Sequence, residues 1–137
     1  MPNAAHSPHV TRQFVLFAII GTAGFVVDSA VLLAAIKLGH YGPYLSRLFS
    51  YLAAATFTWA ANRRFTFPAA QRSGRAAQWA RFVATNAVGG AANLGTYAWL
   101  IAHVPTVAHW PVLGVAAGSL AGLLINFSLS RSLVFRH

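Results

Sequence analysis

Four long apolar runs constrain this chain more than any other feature. They cover about Phe14–Ile36, Leu45–Ala61, Phe82–Ala102 and Val112–Leu129. Each is near the ~20 residues that a helix needs to cross a hydrocarbon layer ~30 Å thick. In lipid, backbone N–H and C=O groups must be bonded within the protein, and runs of this length suit helices rather than barrel strands. Only 8% of residues are charged and 57% are hydrophobic, whereas soluble domains carry roughly 25% charged residues. The expected fold is an all-α integral membrane protein with four transmembrane helices. Arg47 falls within the shortest run and is expected to snorkel to the interface. The first run is too long for a signal-peptide apolar region and is read as retained. Residues 1–11 are read as a flexible cytoplasmic tail, and 12–137 as the transmembrane domain.

The net charge of +9 and pI of 11.7 do not make this a nucleic-acid binder, because the basic residues punctuate apolar runs instead of clustering on one solvated face. Their placement sets an orientation. Arg12 precedes the first helix. Arg63, Arg64, Arg72, Arg75 and Arg81 lie between the second and third, and Arg131 and Arg136 follow the fourth. The other side has only Lys37 and Arg47. Eight against two places both termini in the cytoplasm by the positive-inside rule. There is no cysteine, and the six His lack metal-ligand spacing. No metal and no cofactor are expected.

The two halves resemble each other. Phe17, Gly21, Gly24 and Asp28 line up with Phe82, Asn86, Gly89 and Asn93, 65 positions on. The exit Asn62-Arg63-Arg64-Phe65-Thr66-Phe67 lines up with Ser130-Arg131-Ser132-Leu133-Val134-Phe135, 68 positions on. Two helices return the chain to the side it left, so the halves, about 12–67 and 78–136, are read as parallel repeats. Repeats of this kind occur in transporters, whose binding sites lie at the repeat interface.

These residues also carry a resemblance. Phe14-x-x-Phe17-x-x-x-Gly21 with Asp28, the Asn62–Phe67 exit, Arg81-Phe82 with Asn93, and Asn126-Phe127-x-x-Ser130-Arg131-x-x-Val134-Phe135 together resemble the GtrA family of small four-helix membrane proteins, over about residues 12 to 136. Such proteins are linked to cell-surface polysaccharide synthesis. The resemblance implies a role at the cytoplasmic membrane of a bacterium. That role is moving polyprenyl-phosphate-linked sugars across the membrane, or anchoring the enzymes that make or use them.

Asp28 is the only acidic residue in the chain. A central Asp costs roughly 2.5–3.5 kcal/mol on insertion scales, and nothing local repays that. Phe17, Gly21, Gly24 and Asp28 share one helical face. Small residues face other helices rather than lipid, so Asp28 is expected to point into the bundle. Alone it would be neutral; beside a cation it would stay ionised. Arg47 is the first candidate cation and Lys37 the second. A neutral Asp28 bonded to Asn93 or Thr58 is the alternative.

Asn86 and Asn93 trace one face of the third helix. Thr58 and Asn62 are one turn apart on the second, and Asn126 and Ser130 repeat that spacing on the fourth. These groups can bind sugar hydroxyls, or merely bond between helices at ~0.6 kcal/mol each. Arg63, Arg64 and Arg131 sit at cytoplasmic helix ends, where guanidinium forks can bind the phosphate of a lipid-linked sugar. They can equally fix topology or hold anionic headgroups. Phe65, Phe67 and Phe135 are expected as interfacial anchors. Gly114, Gly118 and Gly122 let another helix approach closely, from the same chain or a second subunit; a homo-oligomer is favoured, because four short helices enclose little space.

No phosphate-cradling glycine motif and no nucleophile–base pair appear, so neither an ATPase nor another enzyme is expected. The leading expectation is translocation of a polyprenyl-phosphate-linked sugar. A membrane adaptor for a glycosyltransferase is the alternative, and would depend on the loop carrying Arg72, Arg75 and Trp79. A small multidrug exporter also has four helices and one acidic residue, but the eight-to-two bias argues against it.

Overall fold

The computed structural model describes residues 8–72 and 74–135. All regular structure in this part is helical: α1 (Pro8–Lys37), α2 (Pro43–Ala61), α3 (Arg75–His103), the short α4 (Pro105–His109) and α5 (Pro111–Leu129). The helix α1 takes in residues 8–11, and residues 1–7 of the expected tail lie outside the described residues. Arg136 and the Arg72 side chain also lie outside them. Proline opens α2, α4 and α5, where its missing N–H leaves no intrahelical bond unmade.

α2 and α5 each end in one π-helical turn, Asn62–Thr66 and Ser130–Val134. The two turns close alike. The Phe67 N–H donates to the Asn62 carbonyl at 2.8 Å, and the Phe135 N–H donates to the Ser130 carbonyl at 2.8 Å. These i→i+5 bonds widen the last turn and carry both phenylalanines under the bundle. Phe67 and Phe135 are therefore fully buried, not the interfacial anchors expected of them. Phe65 is 55% exposed. Phe17, Phe82 and Phe127 complete one aromatic core at this end.

Helix α1 packs on α2, and α3 packs on α5. Corresponding residues make corresponding contacts. Gly24 lies directly against the Thr58 methyl, and Gly89 lies directly against the Asn126 amide. A Cβ at either glycine would collide. Thr58 and Asn126 are themselves equivalent, 68 positions apart. The stripe on α5 is taken up within the chain. Gly118 and Gly122 lie against Asn93 of α3, and Gly114 lies against Tyr97 and Val107. Gly114, Gly118 and Gly122 thus permit a close approach between α5 and its own partner helices.

Away from the aromatic core, polar side chains are buried while large apolar ones face outward. Ser46, Ser50, Thr58, Asn62, Thr66, Gln78, Thr85 and Ser130 are buried. Phe25, Leu94 and Ile19 are 71%, 68% and 60% exposed. Two helical stretches, His9–Lys37 and Pro111–Val134, are apolar and long enough to cross a membrane. Only 17% and 22% of their apolar windows are buried inside the protein, so their apolar faces point outward.

Candidate functional site

A cavity of about 560 Å³ lies between the α1–α2 and α3–α5 halves. It collects residues that the sequence placed on separate helices: Asp28, Thr58, Asn62, Asn86, Asn93 and Asn126 all line it. Phe17 and Phe82 lie at equivalent positions of the two halves and also line it. Gly21 and Gly90 line it with open space where a Cβ would project.

Asp28 is paired. Arg47 Nη1 donates to Asp28 Oδ1 at 2.5 Å and to Ser50 Oγ at 3.1 Å. The Asp28 side chain is 21% exposed and that of Arg47 57%, so the carboxylate is the more sheltered partner; Arg47 itself does not line the cavity. The second half has no such pair: Asn93 stands at the Asp28 position, and Val115 and Gly118 stand at those of Arg47 and Ser50.

The two sides of the seam differ. Between α2 and α3 it is hydrogen-bonded shut. Tyr51 Oη donates to the Val83 carbonyl at 2.8 Å, Trp79 Nε1 to Thr56 Oγ1 at 2.9 Å, and Trp59 Nε1 to Gln78 Oε1 at 3.1 Å. Between α1 and α5 the ties lie at the phenylalanine end. Phe14 and Phe17 meet Phe127 edge to face at 5.3 and 5.6 Å, and Arg131 Nε donates to Gln13 Oε1 at 3.0 Å. Further along this side, Gly21, Thr22 and Phe25 of α1 and Ser119 of α5 line the cavity and are exposed.

Within the cavity lining, Asn126 Oδ1 is buried without a hydrogen-bond partner. Leaving such an acceptor unpaired costs ~1–3 kcal/mol.

The arginines separate from this seam. Arg63 and Arg64 line a second concavity, together with Trp59, Ala60 and Arg75. Arg131 is exposed and held by Gln13. None of the three lines the central cavity.

The sequence reading missed Tyr51, Ser119 and Gln78. Helical spacing carried the signal for two of them: Tyr51 with Ala55, Thr58 and Asn62, and Ser119 with Gly122 and Asn126, each follow the three- and four-residue steps of one face. Gln78 had none, because its partners come from three other elements.

The family described as GtrA/DPMS, transmembrane domain, matches residues 16–135. The chain belongs to this family. No curated protein matches it. The GtrA/DPMS match and the two outward-facing apolar helices together make this a membrane protein. The matched range takes in the whole lining of the central cavity and both π-turns.

Proposed function

We propose that this GtrA/DPMS protein handles a polyprenyl-phosphate-linked sugar in the cytoplasmic membrane of a bacterium and carries its headgroup across. The observation that carries the reading is the amide-lined cavity at the seam between two similarly packed halves. Its ~560 Å³ falls within the ~300–1,000 Å³ usual for small-molecule sites. Amide and hydroxyl groups with one carboxylate are suited to sugar hydroxyls, which both donate and accept hydrogen bonds. Family membership supports the handling of polyprenyl-linked sugars.

The arrangement in the bilayer follows. α1, α2, α3 and α5 all span, as two parallel two-helix repeats with both termini in the cytoplasm. Even α2, with 19 residues, reaches about 28 Å at 1.5 Å per residue. The aromatic core and the arginine-rich turns lie at the cytoplasmic end, and the Asp28–Arg47 pair lies toward the outer one. The sugar occupies the seam, and the lipid chain leaves it between α1 and α5, where the cavity lining is exposed. Arg47 yields Asp28 as the headgroup passes. The role is that of a carrier, not a catalyst.

Transbilayer movement of a polyprenyl-phosphate sugar in liposomes tests this. Purified wild-type protein is expected to accelerate the movement, and Asp28→Asn to abolish the acceleration. No acceleration by folded wild-type protein, across several sugars, would sink the translocation reading and favour a membrane adaptor for a glycosyltransferase.

A further inference from the structure

The second concavity stands apart from the seam and has a different chemistry. It has a volume of about 260 Å³ and is lined by Trp59, Ala60, Arg63, Arg64 and Arg75. Its three arginines come from two elements, the π-turn after α2 and the first residue of α3. Arg63 is 9% exposed and fixed in place. Its Nη1 donates to Gln78 Oε1 at 2.6 Å, and its guanidinium carbon lies 5.8 Å from the centre of the Trp59 ring. Gln78 is fully buried and is held in turn, because its Nε2 donates to the Ala70 carbonyl at 3.2 Å while its Oε1 also accepts from Trp59 Nε1. Arg64 and Arg75 are exposed at the rim. The one acidic side chain of the sequence, Asp28, is bound to Arg47, and none lines this concavity.

We infer that this concavity is a phosphate-binding site, separate from the seam, that takes the phosphate of a membrane lipid. Guanidinium groups match phosphate oxygens with paired hydrogen bonds. A Trp beside them suits the polar boundary of a bilayer, where its apolar ring and its N–H face different surroundings. The seam supplies amides and hydroxyls, and this concavity supplies fixed positive charge. The two cavities share no lining residue. The inference therefore stands whether or not the seam carries a sugar. The phosphate can belong to a bulk phospholipid or to a polyprenyl phosphate waiting outside the seam.

Thermal melting of the purified full chain tests the site, with four probes added separately. These are short-chain phosphatidic acid, the matching diacylglycerol, farnesyl phosphate and inorganic phosphate. Phosphatidic acid is expected to raise the Tm of the wild type above the value with diacylglycerol, and added salt is expected to shrink the rise. The double variant Arg64→Gln with Arg75→Gln should lose the rise. Arg81→Gln, outside the concavity, should keep it. Both replaced side chains are exposed, so the double variant should match the wild type in Tm without ligand and in helical circular dichroism. A rise with both lipids assigns the site to lipid phosphate in general, and a larger rise with farnesyl phosphate assigns it to the polyprenyl carrier. A rise with inorganic phosphate alone would overturn a lipid site. So would an equal rise in the double variant, or no phosphate-dependent rise in the wild type, which would redirect the arginines to an acidic protein surface.

Discussion

Phe67 and Phe135 stack on each other with ring centroids 4.8 Å apart and planes at 14°. They are equivalent residues of the two halves, 68 positions apart, and each is delivered by a π-turn closed by the same bond. The halves are thus fastened at one end by their own corresponding residues, and the cavity lies between them beyond that fastening. Phe82 meets Phe135 at 5.8 Å, and Phe127 meets Phe67 at 6.4 Å, so the stack is the centre of the core.

Phe135→Ala should therefore destabilise the protein by ~3–5 kcal/mol, the usual cost of emptying a buried ring site. Phe67→Ala should cost about the same. Phe65→Ala, exposed on the same turn, should stay within ~0.5 kcal/mol of wild type. Reversible denaturation in mild detergent would check all three.

The glycines divide into two classes. Gly24→Ala and Gly89→Ala push a methyl into Thr58 and Asn126, and each should cost ~1–3 kcal/mol through overpacking. Gly21 and Gly90 have open space at the same point, so alanine there should be neutral or slightly stabilising. Melting temperatures of the four single variants would show whether the pattern holds.

Asp28 and Arg47 should be energetically coupled. Asp28→Asn and Arg47→Gln each lose the ion pair, and the double variant should be less damaged than the two single effects summed. A coupling of about 1 kcal/mol is expected, because the Arg47 side chain remains 57% exposed. A double-mutant cycle in the same detergent measures it; strict additivity would mean that the two side chains do not depend on each other.

The proposed lipid exit between α1 and α5 can be blocked without disturbing packing. Gly21 faces the cavity with open space at its missing Cβ, so Gly21→Phe is expected to fold, which an unchanged Tm would check. It should nevertheless reduce lipid-linked sugar movement in liposomes to the protein-free rate. Wild-type movement in a folded Gly21→Phe protein would place the exit elsewhere.

The topology has its own test, helped by the absence of cysteine. Single cysteines at Ala69 and Thr106, both exposed, should react with an impermeant thiol reagent from opposite sides of the membrane. Ala69→Cys should label from the cytoplasmic side and Thr106→Cys from the outer side.

By itself the sequence determined the helices, the family resemblance and the amides of the polar seam, though not Tyr51 or Ser119. Apolar run length and helical spacing are local properties, so the helices could be read within a few residues, and Asp28, Asn86 and Asn93 could be placed on inward faces. Helix starts are less legible: α3 begins at Arg75, seven residues before its apolar run, because polar side chains do not by themselves end a helix. The tertiary structure alone decided which partner each polar group found. Asp28 meets Arg47, the first candidate cation, rather than Asn93, because α1 and α2 pack as a pair and bring residues 19 apart together. Phe67 and Phe135 go inside because a π-turn changes which face the next residues take, and periodicity read at α-helical spacing does not see that change. The α5 glycines pack against α3 of their own chain, a choice between neighbours that a stripe of small residues does not encode. Sequence fixes which faces must be buried, and only the packed bundle fixes what they are buried against.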